Sequence, residues 1–180
     1  MIPPGIVLDE STLALRTVFL RPGTIEIATE PTVMTTVLGS CVAICLWERH
    51  EHIGCMNHFV LPLSGLRTEK SARFGDVAIE ELFARMKRLG CRAQTLDAKV
   101  FGGAAILATG GSAAGIGQQN VDMALARLGD FGARLVAQRT GGLSGRLIRF
   151  ETATGMVNMR NVGGQVPANG PAGATSSERS

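Results

Sequence analysis

Tyrosine is absent from the 180 residues and tryptophan occurs once, so aromatic residues make up only 4% of the chain. So few rings leave little on which the bases of a single strand would stack. Blocks of like charge are missing as well. Eighteen Lys and Arg against fifteen Asp and Glu give a net charge of +3, and neither Lys87-Arg88 nor Arg146 with Arg149 grows into a basic tract. Nucleic-acid binding is therefore not expected. No apolar run approaches the roughly 18 residues that cross a bilayer, which argues against membrane insertion. The start, Met1-Ile2-Pro3-Pro4-Gly5 followed by Asp9 and Glu10, has no basic segment leading into an apolar stretch. A cytoplasmic location is expected on that ground, and Cys41, Cys45, Cys55 and Cys91 read as free thiols in a reducing compartment.

What the chain does have is material for a core: 45% apolar against 18% charged residues, in a length that suits one domain. Residues 1–15 form an arm of uncertain order, 16–160 the folded domain, and 161–180 a Gly-, Pro- and Ser-rich tail expected to be disordered. Thr17–Leu20 and Thr24–Ala28 read as short strands around the turn signal Arg21-Pro22-Gly23, and Thr32–Leu38 as a third strand. Val42–Trp47 is apolar on both faces, as in a strand between two layers. A polar turn at 48–51 separates it from Ile53–Leu61. Ser71–Leu89 has a helical stripe of Ile79, Leu82, Phe83, Met86 and Leu89, with Gly90 as its C′ residue. Ala98–Phe101 is a strand and Leu107–Gly117 a small-residue loop. Gln118–Leu128 is a helix that buries Val121, Leu125 and Leu128 and stops at Gly129. Arg134–Gln138 is a strand, and Arg146–Thr152 with Met156–Arg160 a hairpin turning at 153–155. The expectation is an α+β fold, a layered sandwich of largely antiparallel sheets flanked by helices.

If 48–51 is the loop of a hairpin, Trp47 faces His52, Val42 meets Asn57, and Cys41 meets His58 with Cβ atoms about 4.5 to 5.5 Å apart. A thiol beside an imidazole is a nucleophile beside a base, and the flexible Gly39-Ser40 ahead of it leaves backbone N–H groups for a developing oxyanion. The residues alone leave a second reading open, since a Cys in so apolar a run is commonly a small core residue. A metal site is disfavoured. Cys41 and Cys45 on one strand stand about 13 Å apart by strand rise, too far to share an ion. Gly102-Gly103, Gly110-Gly111-Ser112 and Gly115-Ile116-Gly117 lack the remaining residues of phosphate-binding loops and read as turns. Asn57 is expected on the sheet face away from His58.

Thr35-Thr36-Val37-Leu38-Gly39-Ser40-Cys41-Val42-Ala43 and Gly54-Cys55-Met56-Asn57-His58-Phe59-Val60-Leu61-Pro62 resemble CheD, a family of chemoreceptor glutamine deamidases. So do Phe74-Gly75-Asp76-Val77-Ala78, Ala98–Ala104, Ile116-Gly117 with Asn120-Val121, and Gly141-Gly142 with Gly145-Arg146, over about Val18 to Val157. Cys55, where a Gly is usual, and Phe74, where Tyr is frequent, depart from the pattern. The resemblance implies a nucleophile at Cys41, a His at His58 and an assisting Thr at Thr35, and the backbone at Gly39 and Ser40 is expected, from its flexibility, to support the oxyanion. It implies deamidation of glutamines on methyl-accepting chemotaxis receptors through a thioester, with no cofactor or metal, and a CheC-like phosphatase as a further partner. The alternatives are a non-catalytic adaptor binding receptors or such a phosphatase, and last a thiol peptidase.

Overall fold

A computed structural model describes residues 15–65, 70–105 and 113–163. Nine strands and two helices occur among them: β1 (Arg16–Phe19), β2 (Thr24–Ala28), β3 (Thr32–Leu38), β4 (Val42–Glu48), β5 (Ile53–His58), α1 (Gly75–Arg88), β6 (Asp97–Gly102), α2 (Ala113–Phe131), β7 (Arg134–Thr140), β8 (Gly145–Glu151) and β9 (Val157–Val162). They build an α+β sandwich with two mixed sheets. One sheet has the order β1-β3-β8-β9 and the other β2-β5-β4-β6-β7, and only β1–β3 and β6–β7 are parallel pairs.

Strand β4 shows why three layers form. Its side chains alternate between two cores. Val42, Ile44 and Leu46 join Leu82, Met86 and Leu128 of the helices, whereas Ala43 and Cys45 join Met34, Leu38 and Phe150 of the four-stranded sheet. The five-stranded sheet is thus covered by helices on one side and by the other sheet on the other, which is the reason β4 has no polar face. Among the described residues, no helix is long and apolar enough to cross a membrane.

Several boundaries differ from the sequence reading. β1 and β2 lie in different sheets, because the chain crosses between layers at Leu20–Gly23. α1 begins at Gly75, which packs so closely on Phe59 that an added Cβ would stand 2.8 Å from its ring. Leu89, placed on the buried stripe, is instead 43% exposed beyond the last turn. Gly90 does end α1, at φ +83° with its N–H on the Lys87 carbonyl.

The stretch expected to loop up to Gly117 is helical from Ala113, with 106–112 outside the described residues. Gly117 serves close helix packing there: a Cβ on it would come within 2.6 Å of the Gly103 carbonyl. α2 runs past Gly129 because Phe131 stacks on Phe83 of α1 with centroids 4.0 Å apart, and Gly132 at φ +69° ends it. At the other end of the chain, Asn161 and Val162 belong to β9, paired with Arg146 and Gly145, so the strand reaches into the segment assigned to the tail. Residues 1–14 and 164–180 lie outside the described residues.

Candidate active site

The β4–β5 hairpin sets the frame of the site, and its register is two positions away from the expected one. Cys45 pairs with Met56 and Glu48 with Ile53, and beyond the ladder Val42 bridges Phe59. Cys41 therefore does not oppose His58. The turn is 49–52 because Glu48 stays in the strand and its carboxylate accepts the N–H groups of His50 (2.9 Å) and Glu51 (2.7 Å). His52 closes the turn at φ +54°, with Nδ1 2.6 Å from the Ala153 carbonyl.

A shift of two leaves every side chain on its expected face. Cys41 packs against the core between the sheets, and His58 reaches the opposite sheet from that same side. By that register the two are diagonal neighbours, a relation with Cβ atoms about 7 to 8 Å apart, and no hydrogen bond joins them, since Nε2 of His58 has no partner among the described residues. Asn57 falls on the other face, as expected. Its Oδ1 accepts the Ile44 N–H at 2.8 Å, so a side chain stands in for the ladder bond beside His58.

His58 is 2% exposed. Its Nδ1 lies 2.8 Å from Thr36 Oγ1, and that hydroxyl lies 2.7 Å from the Leu20 carbonyl. A carbonyl oxygen only accepts, so the single hydroxyl proton of Thr36 goes to Leu20. Thr36 must then accept from His58, which puts the ring proton on Nδ1. Nε2 is buried with no partner in the protein. Burial pulls the His58 pKa from its usual 6.5 to about 4, against a smaller opposing push from the Leu20 carbonyl. At neutral pH the ring is an uncharged base with its lone pair on Nε2.

The residue assigned to assist the histidine is corrected here. Thr35 lies on the opposite face of β3, its hydroxyl directed at the Val18 carbonyl at 3.4 Å, and strand alternation keeps it from His58. Thr36 is the residue that sequence reasoning missed. Met34, Thr36 and Leu38 make one face of β3, and Val33, Thr35 and Val37 the other; the two are nearly equal in polarity, so alternation gave no signal to choose between them.

Cys41 is half-buried in the link between β3 and β4. Three bonds fix that link by its carbonyls: Ala104 N–H to Gly39 (2.8 Å), Gly103 N–H to Cys41 (2.8 Å) and the buried amide of Asn120 to Ser40 (3.0 Å). Asn120 also donates to the Val60 carbonyl at 2.8 Å, so one side chain on α2 ties the cysteine link to the strand that leaves His58. Gly102, at φ +111°, allows this approach, since a Cβ there would lie 2.1 Å from the Cys41 carbonyl oxygen. Burial raises the Cys41 thiol pKa, while its own backbone N–H and then Arg73 oppose the rise. Cys45 and Cys55 are buried far more deeply and driven well above the usual thiol range by that burial. The buried Cys55 packs on the helix side, away from His58, and Phe74 bridges Leu61 at the entry to α1. No three His, Cys, Asp or Glu side chains gather as metal ligands among the described residues.

Comparison with known proteins gives this arrangement a context. A family model described as CheD chemotactic sensory transduction matches residues 60–161. A probable chemoreceptor glutamine deamidase CheD from Rhodospirillum rubrum is 51% identical over 144 residues, 80% of this chain and 81% of its own. The chain belongs to the CheD family. A second probable CheD deamidase, from Trichlorobacter lovleyi, is 43% identical over 79% of this chain and 89% of its own. The chemoreceptor glutamine deamidase CheD of Thermotoga maritima is 37% identical over 73% and 83%. The CheD family model begins at Val60, after the link that carries Cys41 and the strand β5 that ends at His58, and takes in Gly102, Gly103 and Asn120, which clamp the cysteine link.

Proposed function

We propose that this CheD family member hydrolyses glutamine side chains of chemoreceptors to glutamate, the activity its relatives' names give them, through a thioester on Cys41. One observation carries the reading: the chain from His58 Nδ1 through Thr36 Oγ1 to the Leu20 carbonyl, which leaves Nε2 as a buried base on the side of the sandwich that Cys41 shares.

The resting pair is a thiol and a neutral imidazole, because burial works against charge on both. Proton transfer therefore accompanies attack. Nε2 takes the thiol proton as Sγ bonds to the carboxamide carbon, and the carbonyl oxygen becomes an oxyanion. The N–H groups of Ser40 and Cys41 are the donors proposed for it, on peptide planes fixed by the bonds to the Gly39 and Ser40 carbonyls. The carbon–nitrogen bond then breaks, and Nε2–H gives its proton to the departing ammonia. A water deprotonated by Nε2 attacks the thioester, glutamate leaves, and the sulfur regains its proton.

Each conversion adds one negative charge and a methylatable carboxylate to a receptor helix, which changes repulsion between neighbouring helices. The reaction belongs in the cytoplasm under this reading, with a CheC-type phosphatase as a further partner. The test is the intact mass of a receptor cytoplasmic fragment after incubation. Wild-type enzyme is expected to add about 1 Da per converted site by simple chemistry, and Cys41→Ala to add nothing. An equal gain with Cys41→Ala would refute the reading.

A further inference from the structure

Between residues 134 and 162 the chain carries five arginines and one carboxylate, Glu151. Arg134 and Arg149 are paired, with Asp97 and Glu151. Arg139, Arg146 and Arg160 have no carboxylate partner among the described residues, and none has a role in the reaction described above. Two of the three share a cavity. It has a volume of about 530 Å³ and is bounded by Gln138, Arg139 and Thr140 of β7, Arg146 of β8, and Met159 and Asn161 of β9. Strands β7 and β9 are the edges of the two sheets, so the cavity is an open seam of the sandwich.

The seam lies at the end that carries Cys41. Arg146 pairs with Leu38, the last residue of β3 before the cysteine link, and Thr140 pairs with Gly102, which packs on the Cys41 carbonyl. Arg146 is only 8% exposed. Its guanidinium donates to the carbonyls of Gly102 (3.0 Å) and Gly141, so it joins the two sheets beside that link. A guanidinium has five N–H donors, and these two bonds leave others for an acceptor in the cavity. Carbonyls bring no compensating charge, and a cation buried without one is costly. The exposed Arg139 meets the same space, its Nη1 on the neighbouring Gln138 carbonyl at 2.9 Å. No carboxylate lines the cavity among the described residues. Two guanidinium forks flanked by amide and hydroxyl side chains suit a planar anion.

We propose that this seam is a recognition site for a carboxylate side chain on the receptor helix that presents the target glutamine, with Arg139 and Arg146 as its charged partners. The inference rests on chemoreceptors being the substrate. A receptor helix that meets this end of the sandwich carries glutamates made by earlier conversions, and their charge complements the seam. Both arginines act in binding, and neither makes or breaks a bond.

The experiment measures, by titration calorimetry, the affinity of a receptor cytoplasmic fragment for the full chain carrying Cys41→Ala, so that no turnover intrudes. Adding Arg139→Gln is expected to weaken binding about three- to tenfold, and Arg139→Lys to recover part of the loss. Arg160→Gln removes an equal charge from the other face of β9 and should follow the parent. Arg146 clamps two carbonyls and its loss would disturb the fold, so Arg139 carries the test. Replacing the fragment's glutamates nearest the target glutamine by alanine should weaken binding to the parent but add little to Arg139→Gln. An Arg139→Gln affinity equal to the parent's, an equal loss in Arg160→Gln, or fully additive losses from enzyme and fragment would overturn the proposal. So would inorganic phosphate raising the thermal midpoint through Arg139 while fragment affinity stays unmoved, the mark of a site for a free anion. The deamidase reading is tested apart from this by receptor mass. Wild-type enzyme that adds no mass, while fragment binding stays sensitive to Arg139, would sink that reading and leave the seam as a binding site.

Discussion

Thr36 and Thr35 are adjacent and chemically identical, yet only one touches the imidazole. Replacing Thr36 by Val removes the acceptor for Nδ1–H and releases the ring to its other tautomer. Receptor deamidation by Thr36→Val should fall about 10- to 100-fold in kcat, within the range of about 10² to 10⁴ that general-base catalysis contributes. Thr36→Ser should keep most of the rate, and Thr35→Val should stay within about twofold of wild type. Steady-state kinetics on a receptor fragment distinguish the three. Cys41 and His58 could be proposed as nucleophile and base from residue type, the expected hairpin and the family resemblance. The tautomer could not, because it depends on a contact from β3 in the other sheet, across the sandwich, which no local pattern encodes.

At the scale of elements, the site is a junction of loops held by one helix. The amide of Asn120 donates to Ser40 on one side and Val60 on the other, so α2 ties the link that carries Cys41 to the segment that follows His58. Asn120→Ala leaves both part-buried carbonyls short of a donor, a loss of about 1 to 3 kcal/mol. Thermal unfolding should fall by several degrees, since about 2 to 4 °C accompanies each kcal/mol in a domain of this size, and kcat should fall more than KM rises. The strands were legible because β-branched and apolar runs alternate with turn residues. The start of α2 was not, since Gly115 and Gly117 look like loop residues until Gly103 is seen packed against the helix. The hairpin register was missed for a similar reason: Glu48 looks like a turn residue, but it is paired with Ile53 and its side chain bonds the turn behind it.

For the whole molecule, the buried neutral histidine couples stability to pH. His58 titrates near 4 in the folded chain and at its ordinary 6.5 when unfolded. Between those values the unfolded state binds more protons, so stability rises with pH through this window and is lost as pH falls from 6.5 towards 4. The full difference is roughly 3 kcal/mol at about 1.4 kcal/mol per pH unit. Urea unfolding followed from pH 7 to pH 4 should show that loss in wild type and less of it in His58→Gln. An identical slope in the two proteins would remove His58 as its source. The layered α+β architecture followed from a β4 run that is apolar on both faces, whereas the crossing between sheets at Leu20–Gly23 depended on contacts distant in sequence.

The central claim is that Thr36 holds His58 as a neutral ring protonated on Nδ1, with Nε2 free to take the thiol proton. Nitrogen NMR of histidine-labelled protein tests this directly, with His58→Gln assigning the signal. The account predicts that at neutral pH Nδ1 carries the proton and Nε2 does not, with a titration midpoint near the value of about 4 that burial imposes. A proton found on Nε2 at neutral pH, or a midpoint at the ordinary 6.5, would contradict it.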